Sequence, residues 1–163
     1  MNRFRQFLAL ALLLSPALAS GSPTDPVLAL TAARSARGAG PILVQLEGSF
    51  PGADLVQLAY PLQIVVRETT SGAGYIRFDL AGGAVVGSAA ELADGLDPDE
   101  ALALLAQGTP EPDAQLVHLG LRRLELLLPA SFPAGGAEAL LFVVDEEEVI
   151  LSNPIAFEIG GLP

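Results

Sequence analysis

Apolar residues recur at every second position in several short runs, and no other feature of the chain restricts its fold as much. Ile42, Val44 and Leu46 share one side while Gln45 and Glu47 share the other. Leu62, Ile64 and Val66 alternate with Gln63 and Arg67, and Ile76, Phe78 and Leu80 alternate with Tyr75, Arg77 and Asp79. Ile155, Phe157 and Ile159 alternate with Ala156 and Glu158. Successive side chains of a strand point to opposite faces, so this period predicts half-buried β-strands. Runs at 27–30, 116–119, 124–128 and 140–144 are apolar on both faces and are expected to be central strands covered on each side. Gly- and Pro-rich breaks at 71–74, 81–83 and 133–136, and an acidic connection at 145–148, separate the runs. Strands at this spacing predict a sandwich or barrel.

One segment departs from the period of two. Asp97-Pro98-Asp99-Glu100 places an N-cap acceptor, a proline at the first helical position and a Glu three residues after the cap. Strong helix formers follow, until Gly108 and Pro110 end the run, so a short helix is predicted over 98–107. A helical turn at 88–93 is a further expectation. Arg122 and Arg123 separate two alternating runs, 117-119-121 and 124-126-128, that are out of phase by one residue; a β-bulge at the arginine pair would restore one common face.

At the N-terminus Arg3 and Arg5 precede an apolar run at 7–14, then Ser15-Pro16 and the small-residue exit Ala17-Leu18-Ala19. This order predicts a signal peptide over residues 1–19, cleaved after Ala19. Residues 20–26 then read as a flexible leader and 27–163 as one β-sandwich domain. The apolar run is too short to span a bilayer, which needs about 20 apolar residues. Cleavage removes two of the eight Arg and none of the 19 Asp and Glu, leaving a difference of −13. With no Lys and scattered Arg, a nucleic-acid partner is not expected, because phosphate binding needs a basic stripe. The absence of Cys removes any disulfide framework, so the fold must rest on its core.

The stretch Leu128-Pro129-Ala130-Ser131-Phe132-Pro133-Ala134-Gly135, the strand at 140–144, and the run Val149-Ile150-Leu151-Ser152-Asn153-Pro154-Ile155-Ala156-Phe157-Glu158-Ile159 form a sequence of turn, strand, kink and alternating strand. This quarter of the chain resembles the closing strands of immunoglobulin-like domains of secreted bacterial proteins. The resemblance implies an antiparallel β-sandwich in which the helix over 98–107 is an insertion, and an adhesive, structural or accessory role. It transfers no catalytic residue, and the Trp and Cys core markers of antibody-type domains are missing.

The chemistry available to the chain is narrow. His118 is the only histidine, so a Ser-His-Asp triad would have to use it, yet no Gly-x-Ser-x-Gly elbow is present. One His and no Cys do not make a zinc site. Calcium takes oxygen ligands, and Asp94, Asp97, Asp99 and Glu100 cluster closely enough to be the candidate calcium site, although their spacing is not that of an EF-hand loop. No other cofactor is implied. Asp79, Asp97 and Glu125 are the carboxylates to consider for a hydrolase. For a glycan-binding module the chain offers Tyr60 and Tyr75 but no Trp, and Tyr75 reads better as a strand-end residue covering the core. The expectation carried forward is an exported, non-catalytic structural or accessory protein that acts at the cell envelope or surface by contact with a protein partner. A calcium-dependent or glycan-binding module is the alternative, and a carboxylate-based hydrolase the second.

Overall fold

The computed structural model describes residues 28–49, 62–70, 75–79, 84–87, 97–144 and 149–160. The expected signal peptide and leader, the helical turn at 88–93, the turns at 71–74 and 81–83, and the acidic connection at 145–148 lie outside the described residues. Among the described residues, two antiparallel sheets and one short helix make up the fold, which is the mainly β sandwich that the period of two predicts.

The smaller sheet contains β1 (Ala29–Ala36), β2 (Ile42–Ser49), β8 (Arg123–Leu128) and β7 (Gln115–Leu119), in the order β1-β2-β8-β7. The larger sheet runs β10 (Val149–Leu151), β9 (Gly135–Val144), β3 (Leu62–Glu68), β4 (Tyr75–Asp79), β5 (Ala84–Gly87), β6 (Thr109–Pro110). Its last strand, β11 (Ile155–Ile159), pairs with the first half of β9 while β10 pairs with the second half. The core lies between the sheets. Ile42, Val44, Leu46, Leu124, Leu126 and Leu128 meet Leu62, Ile64, Val66, Phe78, Leu141 and Ile159 there. These are the residues that alternation assigns to inner faces, because burying one face of each sheet removes the most apolar surface from water.

The closing strand is kinked where the sequence has Ser-Asn-Pro. Leu151 pairs with Phe142 but Ile155 pairs with Ala139, so three residues oppose two and β10 and β11 are one strand broken by a bulge. The Ser152 hydroxyl repairs the ladder by accepting from the Leu141 amide at 3.0 Å.

Two differences from expectation share one cause. Strand β3 is buried on both faces rather than one, and Arg77 on β4 is buried rather than solvated. The helix α1 (Pro98–Leu105) lies over the outer face of the larger sheet and closes a second, smaller core of Val65, Tyr75, Ala101, Phe142 and Val144. Ala101 is buried against this core and Leu105, one helical turn on, packs half-buried beside it, while Leu102 faces solvent. Tyr75 does cover core, but the outer one. Gly87 stands opposite Tyr75, and a Cβ at Gly87 would come within 2.3 Å of the Tyr75 ring, so only glycine leaves room for the ring there.

The runs at 27–30 and 116–119, expected to be central, contribute to β1 and β7 at the two edges of the smaller sheet. The anticipated bulge at Arg122-Arg123 is instead a chain reversal. The segment 117–128 is a hairpin, closed by the Gly120 amide donating to the Arg123 carbonyl at 2.9 Å, and the phase change simply marks the two strands. A bulge does occur in this hairpin, at Val117, between the Leu116 and His118 pairs. Among the described residues, no helix is long and apolar enough to cross a membrane.

Candidate functional site

The candidate calcium ligands have other work where they are described. The Asp97 carboxylate accepts from the Asp99 amide at 2.9 Å, and the Asp97 carbonyl accepts from the Ala101 amide at 2.9 Å, as an N-cap should. Asp99 and Glu100 occupy the first turn, where negative charge favours the helix dipole. Asp94 lies outside the described residues. Among the described residues, no group of three or more His, Cys, Asp or Glu side chains is arranged to hold a metal ion.

The helix is fixed at its other end by a residue that the sequence places on a solvent face. Arg77 donates to the carbonyls of Leu104 at 2.9 Å, Leu105 at 2.6 Å and Gln107 at 3.4 Å. The Leu104 carbonyl also accepts from the Gln107 amide at 3.1 Å, and a buried cation at this end of the helix suits the negative end of the dipole. Nothing local in the sequence marks this role, because the partner carbonyls lie more than 25 residues away on the inserted helix.

The carboxylates considered for hydrolysis do not converge. Asp79 and Glu125 lie on opposite outer faces of the sandwich with the core between them, and Asp97 caps the helix. Glu125 belongs to a polar row across the outer face of the smaller sheet. Arg34 stands opposite Gln45, Gln45 opposite Glu125, and Glu125 opposite His118, one residue from each strand. Gln45 donates to Glu125 at 2.9 Å, Arg123 also donates to Glu125, and Arg34 pairs with Glu47 at 2.5 Å. Partial burial pushes the Glu125 carboxyl up, but the hydrogen bonds from Arg123 and Gln45, with the charges of Arg123 and His118, outweigh it and hold the group below its ordinary value. His118 therefore sits at the exposed end of a row of paired polar groups, and among the described residues neither a Ser nor an Asp side chain hydrogen-bonds it.

The two sheets treat their edges differently. At one side β1 is covered by β11: Asn153 bonds both backbone groups of Leu30, and Ser35 donates to the Glu158 carbonyl at 2.7 Å. Arg37 adds bonds to the carbonyls of Gly160, Ala130 and Phe132. Edge strand β6 is two residues long and contains Pro110, which cannot donate to a ladder. Strand β7 has no such cover. Among the described residues, only β8 pairs with it. The same hairpin carries Val117 at 53% and Leu121 at 62% exposure, the two most exposed large apolar side chains among the described residues. It also carries Arg122, which is exposed, whereas every other described Arg has a hydrogen-bonded or ionic partner.

The β7 edge is thus the candidate site: a strand whose outer side is unpaired among the described residues, beside exposed apolar groups and Arg122, which has no side-chain partner among them. Sequence reading missed it because the run at 116–119, apolar on both faces, was expected to be a central strand. Comparison with family models, with curated proteins and with solved structures found no match.

Proposed function

We propose that this chain is an exported, non-catalytic module of immunoglobulin-like kind that acts at the cell envelope or surface as a structural or accessory component, through contact with a protein partner along the β7 edge. The observation that carries the reading is the outer edge of β7, unpaired among the described residues, beside exposed Val117 and Leu121. An unpaired strand presents a row of backbone donors and acceptors that another strand can complete, and β-strand addition is an established way for sandwich domains to bind. The kinked closing strand favours the immunoglobulin-like reading, and the order of the first 19 residues favours export.

The test is the native size of the protein, extracted gently from its own cells and measured by size-exclusion chromatography with light scattering. The expected result is an assembly larger than one chain that shrinks to the monomer mass in a Val117→Lys variant, since lysine protects an edge strand from pairing. A wild-type protein recovered as a free monomer would overturn the reading.

A further inference from the structure

We infer that the partner on the β7 edge is an acidic protein and that the tip of the β7–β8 hairpin is its anchor: Leu121 enters an apolar recess of the partner while Arg122 meets a carboxylate at the rim of that recess. This inference rests on the edge-pairing reading above and names the chemistry of its partner.

Charge selects the sign of the partner. The chain holds 19 Asp and Glu against 8 Arg and no Lys, yet the segment 114–124 has no carboxylate and contains Arg122, Arg123 and the only His. Arg123 is paired with Glu125. Arg122 is exposed, and among the described residues its side chain has neither a hydrogen-bonded nor an ionic partner. A guanidinium presents its donors as a planar fork that fits a carboxylate through two of them at once. An acidic protein is repelled by a chain of net charge −11 as a whole and drawn to this tip, so the charge pattern fixes where it docks.

The tip is also held in one shape. Leu119 ends β7 and Arg123 begins β8, which leaves Gly120, Leu121 and Arg122 as the turn. The Gly120 amide donates to the Arg123 carbonyl at 2.9 Å, and the Gly48 amide on β2 donates to the Arg122 carbonyl at 3.1 Å. The backbone on both sides of Leu121 is thereby fixed. His118 Nε2 lies so close to Gly120 that a Cβ there would come within 2.9 Å of it. On this fixed turn Leu121 is the most exposed large apolar side chain among the described residues, with Arg122 next to it. A turn already ordered loses little conformational freedom on binding, and Arg is enriched among the residues that dominate interface energy. An anionic lipid surface fits less well, because basic segments that read such surfaces carry clusters of about four to eight cations.

The test exploits the absence of Lys from the chain: Arg122→Lys keeps the charge and places a single lysine at the tip. The native assembly of this variant, extracted from its own cells, is treated with a water-soluble carbodiimide, which joins an amine to a carboxylate in direct contact as an amide with loss of water. Cross-linked peptides are then sequenced by mass spectrometry. The expected product joins the new lysine to an Asp or Glu of a different protein. A link to a carboxylate of this chain, within one copy or between two, overturns the inference, as does an intact assembly with no link at the tip. Arg122→Glu and Leu121→Ser should each raise about tenfold the concentration at which the assembly half-dissociates on dilution, with the thermal midpoint of the purified protein unchanged since both positions are exposed. Purified protein comprising residues 20–163 should not sediment with phosphatidylglycerol vesicles; sedimentation that Arg122→Glu abolishes would assign the tip to a lipid surface and overturn the inference. If the assembly survives both tip variants but dissociates in Val117→Lys, the acidic anchor falls and the edge-pairing reading stands; a native extract that holds only monomer removes both.

Discussion

The side-chain amide of Asn153 holds both backbone groups of Leu30, with Oδ1 accepting from the Leu30 amide at 2.9 Å and Nδ2 donating to the Leu30 carbonyl at 2.8 Å. One side chain thereby does for β1 what a neighbouring strand would do, and it joins the edges of the two sheets. Leu30 already pairs with Gly48 within its own sheet, so Asn153 fixes this edge from both sides. Asn153→Ala should cost about 1–3 kcal/mol, the range for leaving a partly buried donor and acceptor unpaired. Asn153→Asp should not recover it, because a carboxylate cannot donate to the Leu30 carbonyl. Urea unfolding midpoints of the two variants check both statements.

Arg77 is the contact on which α1 most depends. Arg77→Met keeps much of the stem but removes the donors to Leu104, Leu105 and Gln107, and should lower stability by about 1–3 kcal/mol. Amide exchange should accelerate in α1 well before it does in β2, since the helix covers only the smaller core. Equal acceleration in both elements would show that Arg77 supports the whole sandwich and not the helix.

Gly87→Ala should destabilise by about 1–3 kcal/mol through overpacking against the Tyr75 ring. The cost should shrink when Tyr75→Leu is added, because the clashing ring atoms are gone. A double-mutant cycle by thermal unfolding measures the coupling, and strict additivity would contradict the contact.

Glu125 sets an acid-side dependence. Its folded pKa lies below the ordinary value, so its contribution to stability is present above the unfolded value of about 4.3 and disappears as pH falls through the lower folded value. Glu125→Gln should therefore flatten the fall in stability between about pH 5 and pH 2 relative to the wild type. Parallel curves for the two proteins would show that the carboxylate titrates alike in the folded and unfolded chain.

Leucines that the sequence does not distinguish should part by position. Leu126→Ala, in the main core at zero exposure, should cost about 2–5 kcal/mol. Leu102→Ala, half exposed on the outer side of α1, should change stability by about 0.5 kcal/mol or less. Chemical denaturation of the pair measures the difference directly.

The inner faces of β2 and β8 and the start of α1 were legible because local rules govern them. Alternation selects Ile42, Val44 and Leu46 for burial, and the Asp97-Pro98 pair starts a helix whatever lies around it. The helix ends at Leu105, with Ala106 capping it, and not at 107, since the Arg77 bonds take the final carbonyls. The outer faces were less legible. Arg77 alternates like a solvated residue yet is buried, because its cover comes from a helix far along the chain.

The sequence by itself determined that this chain forms short antiparallel strands around an apolar core, with one capped helix among them, because strand period and capping chemistry are written within a few residues. Only the tertiary structure decided which strands became edges, which face lay under the helix, and that the segment at 117–128 reverses on itself. Each of those depends on which distant segment comes to lie alongside, and a pattern read over neighbouring residues holds no record of that. The candidate site shares this origin: Val117, Leu121 and Arg122 are ordinary residues until β7 is left at the margin of its sheet.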